Sequence, residues 1–448
     1  MNIVISKDLK IENPNQEVIE YCEKKLTIDN PDYITAERVG RYTGNIERKI
    51  KLYVKNGSSY ILPFGCLKDI WKIRGNSSYE LKFHDFRGSS MIGNINLYDY
   101  QKKALNAILG GKNGVLEAPC GSGKTQIGLQ LIKEIGGKAL WLTHTKKLLE
   151  QSKTRCETYF QGDFGTITEG HIQLGRDITF ATVQTMCKID PSVYQDEFDI
   201  VVVDECHHCV GSPTKVMQFY KILTNCNARY KYGLSATLSR ADNMICSVFY
   251  ILGDLLYTIP KSDVGDKIIK AEHRKVDIDL KYDIFDYCDS DGTINNNNLL
   301  NMLSNNVSRN QYIISNILNV DKERFHKQLV LCHRVKQAEY LYQELNKQIP
   351  CNLVIGRVSD KKRTFDGRVI IATYSLAKEG LDIPELDVLH LATPQKNEST
   401  TLQSIGRIER NIEGKETPIC YDYVDNDISY CVNLYKVRRR IINKNKKN

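Results

Sequence analysis

Val115-Leu116-Glu117-Ala118-Pro119-Cys120-Gly121-Ser122-Gly123-Lys124-Thr125 decides how the chain is read. An apolar run from Gly114 to Leu116 gives way to a loop of small residues, then to Lys124-Thr125 and an amphipathic helical pattern. Without a Cβ at Gly121 and Gly123, backbone N–H groups can turn inward around a triphosphate. Lys124 would bring a mobile positive charge to the β- and γ-phosphates, and the Thr125 hydroxyl a ligand for Mg²⁺. The following helix points its N-terminus at the phosphates. Pro119, Cys120, Gly121, Ser122, Gly123, Lys124 and Thr125 are therefore the expected nucleotide-binding loop. A Gly-rich turn that merely precedes a helix is the plainer alternative, and Gly-Lys-Thr after a strand argues against it.

A second signal lies about eighty residues on, at Val201-Val202-Val203-Asp204-Glu205-Cys206-His207. Three β-branched residues predict a buried strand, and two carboxylates emerge at its C-terminal end, the edge where open α/β sheets bind ligands. Asp204 would hold Mg²⁺ through its water shell, and Glu205 would orient and deprotonate an attacking water. His207 would sense the γ-phosphate. Cys206, His207, His208 and Cys209 also carry Cys-x-x-Cys spacing, which suits zinc. No second ligand pair stands at a matching spacing, and the upstream strand accounts for Asp-Glu better.

The surroundings bound the answer. A chain of 448 residues can bury two or three cores, and 41% hydrophobic with 26% charged residues fits a globular protein. No stretch has the apolar length of a membrane span, and Met-Asn-Ile-Val-Ile-Ser-Lys lacks a signal-peptide layout, so no membrane role is expected. Fourteen cysteines without regular spacing read as reduced thiols of a cytoplasmic protein. A net charge of +8 suits a polyanionic partner, with plain solubility as the alternative.

Residues 1–92 are expected to form a small α+β domain, with a helix at 21–26 and strands at 50–54 and 59–62. There Arg38, Arg41, Arg48, Lys49, Lys51 and Lys55 interleave with Tyr33, Tyr42 and Tyr53. That pattern suits phosphate contact plus base stacking, or simply a solvated basic face. Residues 93–262 alternate apolar runs (114–117, 139–143, 178–182, 200–204, 230–235) with helical patterns, as a parallel α/β lobe requires. Periodicity fades over 263–281, the expected linker. Residues 282–448 form a second α/β lobe, opening with a polar surface excursion at 282–303 and carrying strands at 328–332, 352–355, 368–373, 388–392 and 419–423. Its last 17 residues hold seven Lys or Arg and no acid, which predicts a solvated, frayed tail.

Taken together, Ala-Pro-Cys-Gly-Ser-Gly-Lys-Thr followed by Asp-Glu-Cys-His resembles the superfamily 2 helicases of the DEAD/DEAH-box type. The resemblance implies two tandem RecA-like lobes with parallel sheets, preceded here by the α+β domain, and an ATP- and Mg²⁺-dependent motor on nucleic acid. It extends through the chain. Leu97-Tyr98-Asp99-Tyr100-Gln101 resembles the segment whose glutamine reads adenine, which assigns that role to Gln101. Thr143-His144-Thr145 and Thr182-Val183-Gln184 resemble motifs Ia and Ic, implying nucleic-acid contacts at Thr143, His144, Thr182 and Gln184. Gly233-Leu234-Ser235-Ala236-Thr237 matches motif III, which would couple hydrolysis to movement through Ser235 and Thr237 together with His207. In the second lobe, Leu329 to His333 resembles motif IV, and Ala372 to Pro384 resembles motif V. These imply nucleic-acid contacts at His333, Thr373 and Lys378 and nucleotide contacts at Gly380 and Asp382. Gln403-Ser404-Ile405-Gly406-Arg407-Ile408-Glu409-Arg410 fits motif VI, implying nucleotide contacts at Gln403, Arg407 and Arg410. The two arginines stand three apart and are expected on one face of a helix, where they would stabilise phosphoryl-transfer charge.

Gly-Leu-Ser-Ala-Thr-Leu-Ser-Arg240-Ala-Asp242 is similar to the XPB-like and type III restriction-subunit branch. Asn30-Pro31-Asp32-Tyr33, Arg38-Val39-Gly40-Arg41 and Leu62-Pro63-Phe64-Gly65 resemble the leading domain of phage-encoded recombination helicases. Those resemblances imply a DNA helicase or translocase acting on single-stranded or branched DNA, in host cytoplasm if phage-encoded; the oligomeric state stays open, with a monomer favoured. An RNA helicase, a restriction-system motor subunit and a non-hydrolysing nucleotide-dependent binding module are the rival readings.

Overall fold

The computed structural model describes residues 1–119, 121–213, 216–238, 244–265, 269–323, 327–356, 364–378, 383–412 and 414–447. The chain divides into two compact units, Met1–Asp263 and Val264–Asn448.

In the first unit, short strands with alternating burial build a five-stranded sheet in the order Val54–Asn56, Ser59–Pro63, Asp8–Glu12, Asn2–Ile5, Ser78–Leu81. Its pairings are antiparallel except for the last, which is parallel. The inward residues Ile3, Ile5, Leu9, Ile11 and Leu62 are buried, as period-two patterning requires. The helix expected at 21–26 runs instead over Gln16–Lys24, because the Asn15 side chain caps it by accepting from Val18 N. The strand expected at 50–54 is two short ones, Lys49–Lys51 and Val54–Asn56, in different sheets.

The same unit holds an eight-stranded sheet, ordered His171–Gln173, Phe164–Thr168, Ile178–Thr182, Ala139–Thr143, Ile200–Asp204, Tyr230–Ser235, Asn113–Glu117, Leu255–Thr258. Only His171–Gln173 pairs antiparallel. Its central strands are buried at every residue, as a parallel sheet covered on both faces demands. One continuous apolar core runs from Ile3 and Leu9 through Phe64 to Val203, Val248 and Leu252.

Polar contacts stitch the two sheets together. Lys68 pairs with Asp254 at 2.7 Å, His84 Nε2 lies 3.2 Å from Asp199, and buried Lys231 donates to Lys7 O at 3.0 Å and Leu223 O at 2.8 Å. Burial pushes the Lys231 ammonium down to about 8, an offset that the Asp8 charge reduces. The residues before 93 are thus part of the compact first unit.

The second unit carries a six-stranded parallel sheet in the order Glu272–Ile278, Ile419–Asp425, Leu386–Leu391, Lys327–Cys332, Val369–Thr373, Cys351–Val354. Three expectations change here. Residues 263–281 are not merely a linker, since Glu272–Ile278 pairs along its full length with Ile419–Asp425. The region 282–303 is not only a surface excursion: Asn295 caps a helix, Asn296–Asn305, whose Leu299, Leu300 and Leu303 are buried. The expected frayed tail is helical over Ser429–Lys447.

That last helix is anchored by Arg438, which is 1% exposed and donates through Nε and Nη2 to Asp422 at 2.8 and 2.7 Å. A second buried pair joins Arg309 Nε and Nη2 to Asp425 at 2.8 and 3.0 Å. Removing one partner of such a pair strands a buried charge, which costs about 3–5 kcal/mol, whereas replacing both can be nearly neutral. Arg309→Met should therefore destabilise the second unit by roughly that amount in urea unfolding. Combining it with Asp425→Leu should restore most of the loss; a milder single than double variant would contradict this.

Candidate nucleotide and nucleic-acid site

Parallel register brings three strand ends together. Asp204 pairs with Leu234, and Ser235 with Glu117, so the ends of Ile200–Asp204, Tyr230–Ser235 and Asn113–Glu117 lie side by side. The 119–125 loop leaves the last of these and turns into the helix Lys124–Ile135. Gly121 and Gly123 both sit at φ +81°, a left-handed conformation that disfavours side chains. A Cβ at Gly123 would also fall 2.2 Å from Gln101 Nε2.

Gln101 is hydrogen-bonded to the phosphate loop. Its Oε1 accepts from Tyr98 N and its Nε2 donates to Ser122 O, each at 2.9 Å, while Tyr100 OH donates to the same carbonyl at 3.2 Å. In this structure it braces the phosphate loop, because the capping geometry of the Asp99–Gly110 helix turns its amide inward. Ser122 Oγ is buried without a hydrogen-bond partner, which is where a phosphate oxygen would be accommodated.

Lys124 Nζ lies 3.0 Å from Glu205 Oε1. Glu205 itself is held at φ +53°, a strained backbone for a residue with a side chain, which aims its carboxylate back at the loop. Asp204 Oδ1 accepts from Glu205 N at 3.0 Å. The environment splits the two acids. Burial, then the Glu205 charge, raises Asp204, while Lys124 and His207 outweigh burial and hold Glu205 low. Glu205 Oε2 makes no hydrogen bond although His207 Nδ1 is 3.4 Å away. The buried Asp204 carboxylate and the Thr125 hydroxyl at the helix start are oxygen ligands of the kind that suits Mg²⁺. Among the described residues no cluster of three or more His, Cys, Asp or Glu could hold a metal.

His207 Nδ1 is 2.9 Å from Ser235 Oγ, and Ser235 Oγ donates to Thr237 O at 2.7 Å. With the serine proton so used, Nδ1 must be the donor. His207, Ser235 and Thr237 are thus one connected chain from the acidic pair to the motif III segment. The His208 ring packs at a tilt against those of His207 and His144, with centroids 4.1 and 4.6 Å apart, and Gln184 Nε2 donates to His144 O at 2.6 Å. Thr143 Oγ1 donates to Thr145 O, and Thr182 Oγ1 to Thr185 Oγ1, each at 3.1 Å. Through the His208 ring, His144 is joined to His207 beside the acidic pair.

In the second unit, His333 N and Nδ1 reach Thr393 Oγ1 at 3.0 and 2.9 Å, and Thr373 Oγ1 is 3.1 Å from Ser375 Oγ. Asn397 caps the helix Glu398–Ile408 by accepting from Thr400 N. Gln403 and Arg407, four apart, share its half-buried side while Ile405 and Ile408 are buried. Arg410 lies beyond the helix end, which corrects the expectation that both arginines ride on one helical face. Cys120, Gly380, Asp382, Arg240, Asp242 and the Lys378 side chain lie outside the described residues.

Comparison with known proteins fits this geometry. The family model "Type III restriction enzyme, res subunit" matches residues 94–240, and "Helicase conserved C-terminal domain" matches 308–411, together over half of the chain. The chain belongs to the superfamily 2 helicases. It is similar to a protein named an ATP-dependent RNA helicase of Acanthamoeba polyphaga mimivirus, 28% identical over 426 residues, covering 89% of this chain and 77% of that one. It is also similar to the ATP-dependent DNA helicase uvsW of Enterobacteria phage T4, 22% identical over 455 residues, with 90% and 88% covered. A solved structure of S. cerevisiae Dbp5 bound to RNA and ADP BeF3 shares the fold, with TM-score 0.55 at 16% identity, covering 85% of this chain and 92% of that one.

As a superfamily 2 helicase the protein is an ATP-dependent enzyme, and several side chains that sequence did not single out serve its site. Lys415 donates to Arg410 O, and Arg309 and Arg438 donate to Ala392 O and Gln395 O in the segment leading into the motif VI helix. No motif spacing marks them; only a cation after Gly414, and arginines within otherwise amphipathic helices, hinted at them. Lys124→Ala should lower the helicase's ATP turnover at least about hundredfold, since it removes a positioned donor for developing phosphate charge. Nucleic-acid binding should persist, measured by filter binding beside a phosphate-release assay; normal stimulated turnover in this variant would overturn the site.

Proposed function

We propose that the protein is a DNA helicase or translocase that remodels branched DNA, such as forks, D-loops and four-way junctions, in replication, recombination or repair. The observation that carries this reading is the reach of the similarity to the phage T4 DNA helicase. It spans 90% of this chain, more than the two lobes supply, so it takes in part of the N-terminal region fused to the first unit.

In this reading the 119–125 loop holds ATP, and Thr125 and Asp204 hold Mg²⁺, which supplies charge neutralisation at the phosphates. Lys124 leaves Glu205 for the phosphates, freeing that carboxylate to take the proton of the attacking water. His207, Ser235 and Thr237 carry the change away from the nucleotide. Gln403, Arg407 and Arg410, with Gly380 and Asp382, contribute from the second unit; a positioned arginine can be worth ~10³-fold in phosphoryl transfer. Thr143, His144, Thr182, Gln184, His333, Thr373 and Lys378 meet the strand through its phosphates. Such contacts carry little sequence information and weaken steeply with salt. A reducing host cytoplasm suits a chain with fourteen cysteines, and a monomer would suffice for this cycle. Among the described residues no helix is long and apolar enough to cross a membrane.

A second reading, an RNA helicase, is favoured by the name of the mimivirus relative. ATP turnover and strand separation on forks, D-loops, four-way junctions, single-stranded DNA and RNA duplexes, at one salt concentration, separates the two. Branched DNA should stimulate turnover most and be unwound. Stimulation by RNA alone would replace the DNA reading with the RNA one.

A further inference from the structure

We propose that Lys415 is a positioning residue for ATP hydrolysis: its ammonium clamps the backbone at Arg410 to the chain entering strand Leu386–Leu391, and thereby sets where the Arg410 guanidinium is presented. The inference rests on the reading of Arg410 as a phosphate-facing arginine and supplies what holds it there.

An ammonium has three N–H donors and no acceptor. At Lys415 all three meet main-chain oxygens: Arg410 O at 2.8 Å, Leu386 O at 2.5 Å and Pro384 O at 3.2 Å. Burial pushes this ammonium down to about 8, against the opposing charges of Asp387 and Glu385. A surface lysine has no reason to give up its rotamer freedom for three carbonyls; this one is half-buried and fully coordinated. Gly414 at φ +79° and the turn from Lys415 N to Ile412 O bring the side chain back under residue 410.

Position 410 needs such a device. The motif VI helix ends at Ile408, so Arg410 has no helical frame of its own. Glu409 is fixed on the other side, accepting from Ile269 N at its carbonyl and from Ala271 N at its carboxylate. The two anchors flank the Arg410 backbone. Pro384 closes the motif V stretch, so a single ammonium ties the end of motif V to the end of motif VI. A rise in ATP turnover that depends on where Arg410 sits would then depend on Lys415 without Lys415 touching the nucleotide.

The test uses the full chain, with Lys415→Met, Lys415→Arg, Arg410→Ala and the double variant Lys415→Met/Arg410→Ala, each first checked by thermal melting. Lys415→Met should lower kcat for nucleic-acid-stimulated ATP hydrolysis by roughly tenfold or more, because small misplacement of a charge-stabilising group is costly. KM for ATP should move less than about twofold. Lys415→Arg, whose planar fork cannot serve three diverging carbonyls, should fall between. In the double variant the Lys415 change should add nothing to the Arg410→Ala loss, the signature of acting through that residue. A wild-type kcat in Lys415→Met, or losses that multiply in the double variant, overturns the proposal while leaving the role of Arg410 intact. A wild-type kcat in Arg410→Ala itself overturns the reading of Arg410, and the inference falls with it.

Discussion

Two adjacent carboxylates at the end of a fully buried strand form the constraint around which the first unit is arranged. Asp204 and Glu205 repel each other, and burial raises the energy of both charges. Lys124 neutralises one of them, at 3.0 Å from Glu205, and His207 supports the same side. That pairing requires the phosphate loop and the acidic strand to end at one level. The parallel register provides this by placing Tyr230–Ser235 between them. The positive φ at Glu205 is the local cost of turning the second carboxylate toward the loop.

The second unit solves a different problem, the placement of a helix whose useful side chains sit at its end. Its entry segment is held from four sides. Arg309 donates to Ala392 O, Tyr374 OH to Thr393 O, His333 N to Thr393 Oγ1 and Arg438 to Gln395 O. Both arginines are themselves fixed by buried aspartates, Asp425 and Asp422. Buried ion pairs add little net stability over apolar packing. What they add here is direction, because a bidentate guanidinium has one orientation and a spare N–H to aim at a carbonyl.

The N-terminal sheet belongs physically to the first unit. Its core is continuous with that of the parallel sheet, and Lys231, from a strand of the parallel sheet, is solvated by carbonyls of both parts while its ammonium lies 4.9 Å from the Phe64 ring. A lysine sealed in such a seam has no water to fall back on, so separating the two parts would expose apolar surface and an ammonium together.

The sequence by itself determined the motor. Gly-Ser-Gly-Lys-Thr after an apolar run, Asp-Glu after three valines, and Gln-x-x-Gly-Arg-x-x-Arg are local patterns whose chemistry follows from residue type and spacing, and the parallel strands were legible as apolar runs. Tertiary structure decided what those patterns touch. Gln101 has the right identity for a base contact, and the fold adds hydrogen bonds to Ser122 O and from Tyr98 N that no local pattern shows. Arg410 has helical spacing from Arg407, yet the helix stops two residues short of it. Residues 272–278 read as linker because, as an edge strand, they are exposed at most positions and take their partner, Ile419–Asp425, from about 145 residues away. The same holds for Lys231, Arg309, Arg438 and Lys415. A buried cation is defined by the carbonyls and carboxylates around it, and those come from distant parts of the chain that no local window contains.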